Sequence, residues 1–174
     1  MISRPTRTLV LGLGNPILAD DAVGLLVVRE AARLCAGLAT VEIREASLAG
    51  LELLEIASGF ERLVIVDAIK TSARRPGSVS WLAPHGLPMP ERLVAAHEID
   101  LPTALALGQL LGIPVPTEVA ILAIEIEENR TFGLSLTPAV AAAIPVAISL
   151  LLPLLRGGAL PFDEAFRPES ERCV

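Results

Sequence analysis

The chain has 174 residues and a modestly acidic composition, with 14 Lys and Arg against 20 Asp and Glu. Its length suits one domain, which we expect at residues 1–160, followed by a polar, flexible tail at 161–174. The basic residues are scattered, which argues against a nucleic acid partner. Two cysteines and an N-terminus without signal-peptide features predict a protein of the reducing cytoplasm.

The chain opens with a strand followed by a helix. Thr8–Leu13 is a short apolar run closed by glycines, as expected for a strand buried on both faces. Apolar residues then recur at helical spacing through Ala22–Ala36, and Asp20 or Asp21 is available to cap this helix.

The rest of the chain continues to alternate strands with helices. The further predicted elements are a strand at Val41–Ile43, a helix at Leu48–Ala57, strands at Leu63–Val66 and Ser78–Leu82, a helix at Leu101–Leu111, a strand at Val119–Ile124, and a C-terminal helix opened by Thr137 and Pro138. The alternating pattern of Ser78–Leu82 favours an edge strand of opposite direction. Together they predict an α/β fold with three layers, α/β/α, whose mainly parallel twisted sheet has about five strands and helices on both faces.

One stretch raises the question of a membrane. Leu134–Leu155 has no charged residue and is long enough to cross a bilayer. Three prolines, Pro138, Pro145 and Pro153, count against a span. We therefore expect no membrane span and interpret the stretch as a buried or partner-facing helix, with membrane contact as the alternative.

Acidic residues follow two of the predicted strands. Asp20 and Asp21 come shortly after the first strand, and Asp67 closes the strand at Leu63–Val66. Ligands of parallel sheets bind outside the carboxyl ends of the strands, where these side chains would meet. Burying a carboxylate without a partner costs several kcal/mol, so packing alone gives no reason for Asp67. The alternative is a cap on the next turn or helix.

His97 lies in a segment that can face the same edge of the sheet. A single histidine is more often an ordinary surface or core group, and that interpretation suits His85 in its Pro- and Gly-rich loop. Two strand-end carboxylates and a neutral imidazole would nevertheless form a three-ligand set with open coordination positions, as catalytic metal sites have.

A dinucleotide site is the competing interpretation of the glycine-rich turn. Its fingerprint needs a third glycine where this chain has Ile17, although Glu45 could serve as the ribose-binding acid. No Gly-x-Ser-x-Gly elbow occurs, and neither cysteine stands beside a histidine. We therefore expect no organic cofactor.

Three motifs resemble the hydrogenase maturation proteases, which trim the C-terminus of the nickel-containing hydrogenase large subunit. They are GLGNPILADDAVG at 12–24, VIVDAI at 64–69 and AAHEIDL at 95–101. Further similarity at 124–140 extends the resemblance over almost the whole chain.

The resemblance implies a function and a set of site residues. The metal ligands, which are also the catalytic set, fall on Asp21, Asp67 and His97, with Asp20 as a cap or supporting residue. The implied substrate is a NiFe hydrogenase large-subunit precursor that supplies the nickel, and the implied activity is that of an endopeptidase. We expect a monomer. Two carboxylates and an imidazole suit a borderline divalent ion that polarises a scissile carbonyl; neither the resemblance nor the sequence assigns the general base.

The chain departs from the family pattern at two places. Ala22 replaces a glycine that often follows the acid pair, and Arg44–Ser47 replaces an Asp-Gly-Gly-Thr-like loop that is thought to meet the substrate. The second change leaves the precursor preference open. The alternative function is a noncatalytic nickel- or small-ligand-binding module that assists hydrogenase assembly.

Overall fold

The computed structural model describes residues 6–35, 37–47, 51–84, 101–127 and 132–161. Its elements are, in chain order, β1 (Thr8–Leu13), a 3-10 turn (Ala19–Ala22), α1 (Val23–Leu34), β2 (Val41–Ala46), α2 (Leu51–Ala57), β3 (Arg62–Ile69), β4 (Val79–Leu82), α3 (Leu101–Leu110), β5 (Glu118–Glu125) and α4 (Pro138–Leu155).

These strands form one five-stranded sheet in the order β2-β1-β3-β5-β4. The pairs β1 with β2, β1 with β3, and β3 with β5 are parallel, whereas β4 pairs antiparallel with β5. β4 therefore is the edge strand of opposite direction that its alternating sequence predicts, and the predicted mainly parallel sheet is confirmed.

The two faces of the sheet carry different helices. On one face α2 and α3 pack over a core that includes Leu11, Leu63 and Ile121. On the other face α1 and α4 pack over Val10, Val64 and their neighbours. Because successive strand residues point to opposite faces, the buried strands β1 and β3 supply both cores, and the predicted three-layer architecture is confirmed.

Helix α4 is the uncharged stretch whose length allows a membrane span, with 39% of its residues buried. It contacts α1, β4 and β5, and its buried stripe includes Val140, Ala147 and Leu151. The outer side leaves Val146 and Leu150 exposed, so the interpretation as a partner-facing helix applies to that side alone.

Helix α1 lies unusually close to the sheet because two glycines face each other. A Cβ on Gly12 would meet Val28 and the carbonyl oxygen of Gly24 within 3 Å, and a Cβ on Gly24 would collide with the carbonyl oxygens of Leu13 and Val66. These oxygens belong to the backbone of β1 and β3 and cannot move aside cheaply. The start of α1 therefore rests directly on the ends of two strands.

We expect Gly24→Ala to lower the free energy of unfolding by about 1–3 kcal/mol or more, because α1 must move off the strands. The matched control is Gly133→Ala, whose Cβ would meet the Ala19 Cβ at an ordinary 3.5 Å. Urea denaturation of the two variants and the wild type measures the difference. Equal stability of the two variants would contradict this account of the contact.

Candidate metal and active site

The sheet has its crevice between β1 and β3. The chain leaves β1 through α1 toward β2 on one side, whereas it leaves β3 toward β4 and β5 on the other. Neighbouring parallel strands whose connections diverge in this way leave an opening at their carboxyl ends, where ligands bind. The pairing of β1 with β3 ends at Gly12 and Val66, so the opening begins at the next residue of β3.

That next residue is Asp67. The prediction that β3 ends there is wrong, because pairing with β5 continues the strand to Ile69. Asp67 is fully buried, and its Oδ1 accepts a hydrogen bond of 2.8 Å from the backbone N–H of Ala68. Burial raises the pKa of Asp67 to about 8, against the smaller lowering effect of that hydrogen bond. Burial therefore favours the neutral form of this side chain.

Asp21 lies in the 3-10 turn that joins β1 to α1. It is 3% exposed, and its Oδ2 accepts a hydrogen bond of 3.0 Å from the backbone N–H of Asn15. Asn15 in turn accepts a hydrogen bond from Ile17 N–H through its own side chain, which holds the turn between β1 and the acid pair. A Cβ on Gly14 would collide with the carbonyl oxygen of Asp21, so the turn requires this glycine.

The close packing of α1 brings Asp21 and Asp67 to the same opening. Gly24, one helical turn after Asp21, contacts the carbonyl oxygen of Val66, the residue before Asp67. The 3-10 turn also contacts β3 directly. A buried acid of the 3-10 turn and a buried acid of β3 thus both lie near the carboxyl edge of the sheet.

Asp20 has a different role from its neighbour. Its two carboxylate oxygens accept hydrogen bonds from the backbone N–H of Thr137 at 2.6 Å and from the Thr137 hydroxyl at 2.9 Å. Asp20 therefore holds the start of α4. The prediction that Asp20 or Asp21 caps α1 is wrong, and the Thr137 side chain does not cap α4 either, because its hydroxyl binds Asp20.

The predicted third ligand, His97, lies outside the described residues, as does His85. Within the described residues no group of three His, Cys, Asp or Glu side chains is placed to hold a metal ion. A three-ligand site built on Asp21 and Asp67 therefore needs its third side chain from another part of the chain.

The segment Arg44–Ser47 contributes to the same turn in a way that the sequence analysis missed. The Ser47 hydroxyl donates a hydrogen bond of 2.7 Å to the carbonyl oxygen of Gly14. Glu45, the candidate ribose-binding acid, instead forms a two-bond ion pair with Arg29 at 2.7 and 2.8 Å. The sequence places Ser47 just beyond β2, which pairs in parallel with β1, and this position is only a weak indication of the bond between Ser47 and Gly14.

Comparison with known proteins decides the family. The family model described as hydrogenase maturation protease matches residues 26–154. The chain belongs to the hydrogenase maturation protease family. The chain is also 30% identical to the Hydrogenase 2 maturation protease of Escherichia coli, over 86% of this chain and 91% of that protein. Identity is 30% as well to the hydrogenase expression/formation protein HupD of Rhodobacter capsulatus, over 84% of this chain and 70% of HupD.

Solved structures show the same fold in this family. The hydrogenase maturating endopeptidase HybD from E. coli superposes with a TM-score of 0.68 at 29% identity, covering 87% of this chain and 93% of HybD. This hydrogenase maturation protease is therefore a peptidase with the HybD fold. The residues that match the family model include Asp67 but begin after Asp21.

The pKa of Asp67 predicts a pH-dependent stability for the metal-free protein. The carboxyl ionises near pH 4 when unfolded but keeps its proton to about pH 8 when folded, so unfolding releases a proton between these values. Stability should therefore fall as the pH rises through this window, by up to about 1.4 kcal/mol per pH unit.

The matched control is Asp67→Asn, whose amide cannot ionise. In urea denaturation with a metal chelator present, the variant should lose less stability than the wild type between about pH 4 and about pH 8. Parallel stability curves for the two proteins would contradict the buried, neutral state of Asp67.

Proposed function

We propose that this protease removes the C-terminal extension of a nickel-loaded NiFe hydrogenase large-subunit precursor, and that Asp21, Asp67 and His97 bind the nickel that the precursor carries. The observation that carries the proposal is the burial of two carboxylates beside the opening between β1 and β3, on a 3-10 turn and a strand that contact each other. Family membership supports the peptidase activity, and the E. coli relative named for hydrogenase 2 supports the kind of substrate.

The chemistry of the two acids fits a divalent cation. A carboxylate buried as fully as Asp67 is costly to ionise, and a cation held between Asp67 and Asp21 would offset that cost. Carboxylate oxygens with an imidazole nitrogen suit a borderline ion such as nickel. Because the nickel belongs to the substrate, the protease would stay inactive toward precursors without it.

The protein residues then orient the substrate and handle protons. Asp21 is held by Asn15 and Asp67 by the rigid strand β3, so both carboxylates keep their positions when the precursor arrives. Either acid could accept a proton from the attacking water, and His97 would bind in its neutral form. Nickel would contribute Lewis acidity toward the scissile carbonyl. We place this reaction in the cytoplasm and assign it to a monomer.

The decisive experiment is incubation of the purified protein with a nickel-loaded large-subunit precursor, followed by intact-mass spectrometry. We expect the precursor to lose the mass of its C-terminal extension, while the same precursor without nickel keeps its full mass. A binding module would leave both masses unchanged. That outcome would replace the proposed activity with the noncatalytic alternative.

Separate substitutions of Asp21 and Asp20 distinguish a residue that binds nickel from one that stabilises the fold. Asp21→Asn should slow cleavage by about 100-fold or more at nearly unchanged stability, because an amide binds divalent ions poorly. Asp20→Asn should instead lower the thermal unfolding temperature, since it weakens both bonds to Thr137. Cleavage rates and unfolding temperatures of both variants are the measurements, and an active Asp21→Asn would shift the assignment to Asp20.

His97→Ala provides the corresponding test of the third ligand. The variant should remain folded, because the assigned role of His97 lies in binding nickel rather than in core packing. The nickel-loaded precursor should nevertheless stay at its full mass over the time in which the wild-type protein processes it completely. A normal cleavage rate would remove His97 from the proposed ligand set.

A further inference from the structure

A cavity of about 280 Å³ lies beside the candidate site, at the carboxyl edge of β3 and β5. We call it the edge pocket. Ile69 and Leu82 form apolar walls, Ser80 and Thr71 add hydroxyl groups, and Arg74 lies at the outer side. Glu125, whose buried carboxylate is taken up by Thr71 and Ser72, completes the lining, so the edge pocket combines a surface for an aliphatic side chain with an exposed cation.

Strand register fixes the position of the edge pocket relative to Asp67. Asp67 on β3 pairs with Ala123 on β5, and Ala123 pairs with Ser80 on β4, so the three residues form one row across the sheet. Ser80 is thus about 10 Å from Asp67, two strand spacings away. Ile69 lies two residues further along β3, about 7 Å from Asp67 on the same face. The pocket begins two or three peptide residues from Asp67.

The edge pocket and the turn that carries Asp21 lie on opposite sides of Asp67. Asp21 follows β1, which borders β3 on one side, whereas β5 and β4 border it on the other. In the proposed function, the nickel-carrying body of the precursor would occupy the β1 side, where the Asp21 turn lies. The extension beyond the scissile bond would then run over β5 toward the pocket.

The exposed charged residues beside the edge pocket are basic, although the chain as a whole is acidic. Lys70, Arg74 and Arg75 stand exposed on the connection between β3 and β4, in a chain of net charge −6. None of the three forms an ion pair with another described residue. A carboxylate on the bound peptide would supply the missing partner of Arg74.

The connection that presents Arg74 is held in place by Glu125. The buried carboxylate of Glu125 accepts hydrogen bonds from Thr71 N–H at 2.7 Å, the Thr71 hydroxyl at 2.7 Å and Ser72 N–H at 2.9 Å. The carbonyl oxygen of Glu125 accepts a further bond from Gly77 N–H at 2.8 Å. Both ends of the connection are fixed, so the pocket is formed before a peptide binds.

We propose that the edge pocket binds the extension of the precursor, taking an aliphatic side chain two or three residues beyond the scissile bond and pairing Arg74 with an adjacent acidic residue. This inference rests on the proposed function, since it takes Asp67 as the position of the bond that is cut. It assigns Arg74, Ser80 and Leu82 to substrate selection and leaves the cleavage chemistry to the metal site.

The test uses paired nickel-loaded precursors that carry either Asp or Lys at the third or fourth residue of the extension. Wild-type protein should cleave the Asp precursor with a KM about two- to fivefold lower than the Lys precursor, the range of an exposed ion pair. Arg74→Glu should invert this preference. Arg75→Glu is the matched control, because Arg75 does not line the pocket, and it should keep the wild-type order.

A second substitution tests the apolar part of the edge pocket. Ser80→Phe should fill the cavity and raise KM for precursors with Leu at the second or third residue, while precursors with Gly there are affected less. A merely structural defect would slow both kinds of precursor equally, which would overturn the assignment of Ser80.

The outcomes separate the two proposals. If wild-type protein cleaves the precursors but Arg74→Glu shows no inversion, the edge pocket is not the extension site and the proposed function stands. If wild-type protein shortens no nickel-loaded precursor, the proposed function fails and the pocket assignment fails with it.

Discussion

The contact between α1 and the ends of β1 and β3 is the constraint on which the site depends. Gly12 and Gly24 allow the helix to rest on strand backbone, where a single methyl group would collide with carbonyl oxygens. This closeness places the 3-10 turn, and with it Asp21, at the opening where β1 ceases to pair with β3. Gly12, one of the glycines that resemble a dinucleotide fingerprint, therefore serves helix packing.

Three of the buried acids at this edge, Asp20, Asp21 and Asp67, differ in their surroundings. The carboxylate of Asp20 accepts hydrogen bonds from Thr137, and that of Asp21 accepts one from the backbone N–H of Asn15. Asp67 is fully buried within the sheet. Different surroundings of this kind are a means of giving neighbouring carboxylates separate roles. The neutral tendency of Asp67 also means that a divalent ion would displace a proton as it binds, so ion binding should become tighter as the pH rises.

Sequence periodicity was sufficient for the fold and for part of the site. Continuous apolar runs identified β1, β3 and β5, and the alternation at Ser78–Leu82 identified the antiparallel edge. The extent of β3 beyond Asp67 could not be predicted, because it depends on pairing with β5, which lies far away in the chain. The hydrogen-bond partners of side chains could not be predicted either. The bonds of Asp20 to Thr137 and of Ser47 to Gly14 join residues that only the folded topology brings together.

The bond between Asp20 and Thr137 spans 117 positions of the chain. During synthesis, the acid pair therefore leaves the ribosome long before the helix that steadies it. β1, α1 and β3 can associate early, but the loop between β1 and α1 reaches its final arrangement only when α4 docks. A nascent chain would thus carry the acid pair without the contact that fixes Asp20, and the finished arrangement of this loop would depend on the docking of α4.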